Sequence, residues 1–213
     1  KSGEQEDTGG GLEVRDDLDG LDDHGFPAIG DCDGISQEFS ITGQIGQDAQ
    51  LCAEDSYEFH GTVLVPNGVT LSIEAGTVVQ FPDRGEGLVG ELLFERGSVI
   101  LAQGTVDSPI VFRGGDHGGW GGLLIAGRGP SNASPEGDST DSSGVLNYVR
   151  IISAGLVGTN VKSTALVLRS VGSGTTVSHV EVLDSAGDGV LLTGGTVNLD
   201  HIVVRRAQRD AIK

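Results

Sequence analysis

The chain has 213 residues, a formal charge of −18 and 37% apolar residues, enough for one sizeable core and too acidic for a nucleic-acid partner, which needs a basic surface to displace condensed counterions. Its 36 glycines and six prolines follow no Gly-X-Y period, which excludes collagen, and no apolar run approaches the roughly 20 residues of a membrane-spanning helix. With one Trp, two Tyr and six Phe, the interior has to be built from Val, Leu and Ile, the types that suit buried strands.

In chain order, residues 1–35 read as an acidic, glycine-rich linker or extension, with too few bulky apolar groups to offset the entropy of ordering. Lys1 rather than Met opens the chain, consistent with a removed export signal. Within the run DDLDGLDD, Asp17, Asp19, Gly20 and Asp23 occupy positions three, five, six and nine of a calcium-loop template. Arg15 and Phe26 stand where that template needs carboxylates, so a solvated linker competes with a calcium site, and calcium is the one cofactor the sequence suggests. Cys32 and Cys52, the only cysteines, read as a single disulfide formed in an oxidising compartment, against two free buried thiols. Residues 36–60 are expected to form an N-terminal cap region.

From residue 61 to 213 short alternating strands separated by glycine predict an all-β solenoid, a parallel β-helix with long corner loops. VTLSIEAGTV, beginning at Val69, returns as GSVILAQGTV, beginning at Gly97, which aligns Leu71 with Val99 and Ile73 with Leu101 at a spacing of 28. Apolar triplets recur as Val63-Leu64-Val65, Leu92-Leu93-Phe94, Leu123-Leu124-Ile125, Leu166-Val167-Leu168 and Val190-Leu191-Leu192, and Leu92, Leu123, Leu166 and Leu191 are expected in one interior column. The most regular set is Tyr148-Val149-Arg150-Ile151, then His179-Val180-Glu181-Val182, then His201-Ile202-Val203-Val204. Spacings that drift between 22 and 31 would break a helical solenoid but are absorbed by the corners of a β-coil. The stretch from Gly127 to Gly144 reads as an exposed insertion. The sequence stops in mid-repeat at Lys213, so the expectation is a continuing chain or a partner over an open edge.

GTVLVPNGVTLSIEAGTVVQF, ELLFERGSVILAQGTVDSPIVF and GGWGGLLIAGRGPSN followed by SGVLNYVRIISAG resemble secreted or lipid-anchored bacterial surface proteins with a right-handed parallel β-helix, a group of mostly unassigned role. The resemblance covers roughly Gly61 to Lys213. It implies export and a location outside the cell or on its outer surface, and it supplies no catalytic residues.

Chemistry-bearing groups are sparse. Asp188 and Asp210 coincide at a 22-residue offset, so with Arg206 they form a candidate catalytic set for a lyase or glycoside hydrolase, where neighbouring carboxylates serve as acid and base; the competing reading is two turn carboxylates. Arg150 opposite Glu181, and Asp184 opposite Arg206, read as cross-coil ion pairs that hold register. Arg205, Arg206 and Arg209 offer a small basic patch for acidic sugars. His179 and His201 stack beneath Tyr148, as a ring stack rather than a metal ladder, since two histidines without a third ligand make a poor zinc site. Trp120, beside His117, either faces a sugar ring or closes the core edge. The preferred expectation is a non-catalytic, exported cell-surface structural or binding solenoid, self-assembling end to end or binding another surface protein or a polysaccharide. The alternatives are a polysaccharide-acting enzyme and a calcium-dependent adhesin.

Overall fold

Alternation is the local cause of the architecture: where every second residue is aliphatic, an extended segment buries one face and leaves the other to solvent. The structure, a computed structural model, describes residues 32, 34–82, 89–115, 119–157 and 161–213. The proposed calcium ligands Asp17, Asp19 and Asp23, and His117, lie outside the described residues.

The strands stack into three parallel ladders. The first contains β1 (Glu38–Gln44), the first half of β3 (Ser56–Val65), β5 (Val78–Phe81), β8 (Ile110–Gly114), and the second halves of β10 (Gly144–Ile152), β14 (Thr176–Leu183) and β16 (Asn198–Arg205). The second contains β2 (Ala49–Leu51), β4 (Thr70–Ile73), β7 (Val99–Gln103) and the first halves of β10, β14 and β16. The third contains the second half of β3, then β6 (Glu91–Phe94), β9 (Gly122–Ala126), β13 (Thr164–Arg169) and β15 (Asp188–Thr193). The chain visits the ladders in rotation and so winds around one interior, as the repeat pattern predicts. The right-handed crossover is the sense favoured for parallel strands. β11 (Leu156–Val157) and β12 (Val161–Lys162) form a small antiparallel hairpin outside these ladders. Strands β1 and β2 and the start of β3, in the region expected to be a cap, pair within the same ladders.

Two expected alignments are off by one residue. Leu71 pairs with Ile100 and Ile73 with Ala102, a spacing of 29 rather than 28, so Ile100 and Ala102 are buried while Val99 and Leu101 face outward. The match of Gly76-Thr77-Val78 to Gly104-Thr105-Val106 misled the alignment: Val78 begins β5, whereas Val106 sits in a corner, 73% exposed. In the third ladder Leu92, Leu123 and Leu166 form the expected column, but it continues into Val190, not Leu191. Leu191 pairs with Val167 on the opposite face, since a one-residue slip in a strand of period two exchanges its faces.

The early coils fill the interior with rings. Trp120 is fully buried, stacks on Phe81 with ring centroids 4.0 Å apart, and donates its indole N–H to the carbonyl of Ile152 at 2.9 Å. It therefore closes the core and cannot face a sugar ring. Phe59 and Phe112 complete the cluster. Cys32 and Cys52 are bonded, tying the entry of the chain to the first coil, and the expectation of a disulfide holds. Beside it the Tyr57 hydroxyl accepts from the Cys52 N–H at 2.7 Å and donates to Asp55 at 2.9 Å; burial pushes its ionisation far above the usual range. The insertion from Gly127 to Gly144 is largely exposed but fastened: Gly129 N–H donates to Ser170, the Ser139 carbonyl accepts from the Ser173 N–H and the Thr196 hydroxyl, and Arg128 donates to Asn67 at 2.9 Å.

Candidate functional face of the last three coils

In β10, β14 and β16 one unbroken strand serves two ladders, so each must bend in the middle. The bend falls at Tyr148, His179 and His201, whose φ angles of 49°, 52° and 49° are left-handed, and their neighbours on either side pair in register while these three do not. A second set of left-handed residues, Ser153, Asp184 and Arg206 (φ 54°, 58° and 56°), turns the chain out of the first ladder. A side chain in this conformation costs about 1 kcal/mol that glycine avoids. The two rows border a strip whose outward residues are Arg150 and Ile152 on β10, Glu181 and Leu183 on β14, and Val203 and Arg205 on β16.

The strip is a charge ladder. Arg150 approaches Glu181 at 3.1 Å, and Arg205 reaches the other oxygen of the same carboxylate at 3.6 Å. At the border Arg206 donates two hydrogen bonds to Asp184, at 2.5 Å from Nε and 2.8 Å from Nη2; this fork holds the Asp184 carboxyl below its ordinary range and raises the guanidinium. The sequence brings out both pairs correctly, because the spacing between equivalent positions is constant wherever no corner intervenes.

On the opposite border the rings stack. Tyr148 lies 4.4 Å from His179 at 20°, and His179 lies 4.3 Å from His201 at 6°. Parallel rings point their nitrogen lone pairs alongside one another rather than at a common point, so the ladder is a ring stack and not a chelating site. Sequence reasoning missed the polar residues that precede these rings. The Ser178 hydroxyl is 2.8 Å from His179 Nδ1 and donates to Asp200 Oδ2 at 3.3 Å, while Asp200 Oδ1 is 2.8 Å from His201 Nδ1. The hydrogen bond from His201 is the leading cause of the lowered Asp200 ionisation, with a smaller contribution from Ser178. The signal was present as Ser-His and Asp-His at the same repeat position.

The candidate catalytic residues are otherwise engaged. Asp188 is buried; one oxygen accepts the N–H of Asp210 at 3.1 Å and the other lies 3.7 Å from the Lys213 ammonium. Asp210 thus meets Asp188 through its backbone, with an exposed side chain. Arg206 is held by Asp184, outside this arrangement. Elsewhere, Glu91 on β6 is partly buried over Gly121, and burial raises its ionisation. Cys32, Cys52 and Glu54 cluster within metal-binding distance, but sulfurs bonded to each other supply no thiolate.

Three parallel ladders wound about a single interior define the class of the molecule, a parallel β-helix. The chain belongs to the pectate-lyase-like β-helix domain family, whose model matches residues 43–213. No curated protein and no solved structure matches it in the corresponding comparisons.

Proposed function

We propose that this protein is an exported, non-catalytic β-helix scaffold that binds a surface polysaccharide or surface protein through the outer face of β10, β14 and β16. The observation that carries the reading is the pair of left-handed rows: six bends are occupied by Tyr148, His179, His201, Ser153, Asp184 and Arg206. Glycine would make such bends without strain, and residues held in sparsely populated backbone regions concentrate at functional sites. The Cys32–Cys52 disulfide supports residence in an oxidising compartment. The engagement of Asp188 and Arg206 in structural bonds weighs against the enzyme alternative.

The test is a panel of acidic and neutral polysaccharides, with and without calcium, read both for retention of the protein and for released product. Retention without turnover is expected, at least tenfold weaker after Arg205→Ala with unchanged thermal stability. Product release by the wild type that disappears in Asp188→Asn would instead establish the polysaccharide-acting enzyme. Retention unaffected by Arg205→Ala and by Tyr148→Gly would remove the face from the interaction.

A further inference from the structure

In the third ladder the interior column is matched by an aliphatic column on the outside. Val63, Leu92, Leu123, Leu166 and Val190 are buried in the interior, so by alternation the residue after each of them faces outward. In register these are Leu64 with Leu93, Leu93 with Leu124, Leu124 with Val167 and Val167 with Leu191. Successive coils thus carry an aliphatic side chain at one outward position, and Gln44, paired with Leu64, ends the strip on the early side. The first ladder differs: there Val111 is followed outward by Arg150 and Glu181, and Ile152 is preceded by Arg113. Beside Leu124 the flanks are bare, with Gly122 and Ala126 at the neighbouring outward positions. At about 4.8 Å per coil the strip runs for about 19 Å and with its flanks covers roughly 300 Å², a size of apolar patch that often marks a contact site.

The charges along the strip have opposite signs on the two sides of Leu124. Glu91 and Glu95 flank Leu93, one coil earlier; Arg169 stands beside Val167, one coil later. Glu95, Ala126 and Arg169 follow one another down the same flank. Arg169 is exposed and has no ion-pair partner among the described residues.

We propose that this strip is the interface of a two-fold dimer, in which two copies of the chain pack side by side with their helix axes antiparallel. A two-fold axis along the strand direction through Leu124 reverses the order of the coils and keeps each flank against its own copy. Leu124 then meets Leu124, Leu93 meets the shorter Val167, and Leu64 meets Leu191. Glu95 of each copy faces Arg169 of the other, so the ion pair forms twice. With the helix axes parallel, Glu91 would instead face Glu95 and neither Arg169 would find a carboxylate, an arrangement that like-charge contact disfavours. The strip is smaller than the patches of permanent dimers, so the association is reversible. The strip lies on another ladder than Arg150 and Glu181, and the dimer therefore presents two copies of the proposed ligand face. The dimer itself does not depend on the ligand-binding reading.

The experiment is sedimentation equilibrium of the whole chain over a range of concentrations. A monomer–dimer equilibrium is expected. Leu124→Lys brings two ammonium groups together on the axis from an outward position, and should weaken the dimer by about tenfold or more with thermal unfolding little changed. Glu95→Arg and Arg169→Glu, both at exposed positions, should each weaken it, and the two combined in one chain should restore it, because the pairs re-form with exchanged signs. A monomer at every concentration up to about 1 mM, or association that Leu124→Lys leaves intact, overturns the interface. A dimer lost in Leu124→Lys but indifferent to both charge reversals overturns the antiparallel arrangement.

Discussion

The first two coils and the last three turn the same corner with different residues. Where the chain leaves the first ladder, Gly43 and Gly61 take the left-handed conformation early on (φ 78° and 66°), and Ser153, Asp184 and Arg206 take it later. The interiors differ in parallel: Phe59, Phe81, Phe112 and Trp120 fill the early and middle coils, while Leu146, Val149, Ile151, Val180 and Val182 fill the late ones. Large rings bury the most apolar area per residue, and glycine turns the backbone without strain. The early part is therefore organised for stability, and the late part accepts backbone strain to place charged and aromatic side chains in three rows on one face.

The strongest way to break this contrast is Trp120→Ala, which should cost about 3–5 kcal/mol by opening a cavity beside Phe81 and leaving the Ile152 carbonyl without its donor; chemical denaturation of this variant against Val180→Ala on the late side measures the difference. Next, replacing both Cys32 and Cys52 with Ser should cost about 3 kcal/mol for a loop of this length. Hydrogen exchange should show protection lost around β1 to β4 and retained around β14 and β16, and equal loss in both regions would contradict a local role for the bond.

Smaller effects sharpen the comparison from the other side. Asp184→Gly and Arg206→Gly each relieve about 1 kcal/mol of backbone strain while losing an exposed ion pair of similar or smaller worth, so melting temperatures should move little while ligand retention falls. A large loss of stability would mean that the row serves the fold rather than the face. The smallest expected effect is at Glu91. Burial raises its ionisation in the folded chain above the unfolded value, so the contribution to stability is present when the carboxyl is protonated and is lost as pH rises through the folded value. Glu91→Gln should therefore raise the melting temperature slightly at pH 7, and the gain should shrink as the pH falls into the carboxylate range; a gain that stays constant to pH 4 would rule out this origin.

Much of this was legible before any coordinates. Tyr148, His179 and His201 head segments that superpose without a gap, and from them the register of β10, β14 and β16, the Arg150–Glu181 and Asp184–Arg206 pairs and the ring stack all follow. The early coils were harder. The corner from β4 to β5 is shorter than the corner from β7 to β8, and a Gly-Thr-Val present at both places drew the alignment one residue out. The column expected through Leu92, Leu123, Leu166 and Leu191 is one residue out at its end, because Val190 has the parity that pairs with Leu166. Ser178 and Asp200, polar residues on an exposed face, look like solvation until their partners are known.

The sequence by itself determined that the chain is a β-helix with an apolar interior, since alternation and repetition are local properties carried by every strand; that rings rather than aliphatic side chains fill much of the early interior is seen only in the fold. The tertiary structure alone decided how Asp188 is engaged, that β7 pairs with β4 one residue off the sequence match, that Val190 rather than Leu191 enters the interior, and that Asp200 meets His201 directly and His179 through Ser178. Those outcomes depend on contacts between residues a full coil apart. Coil-to-coil register is set by corner geometry, which the hydrophobic pattern does not encode.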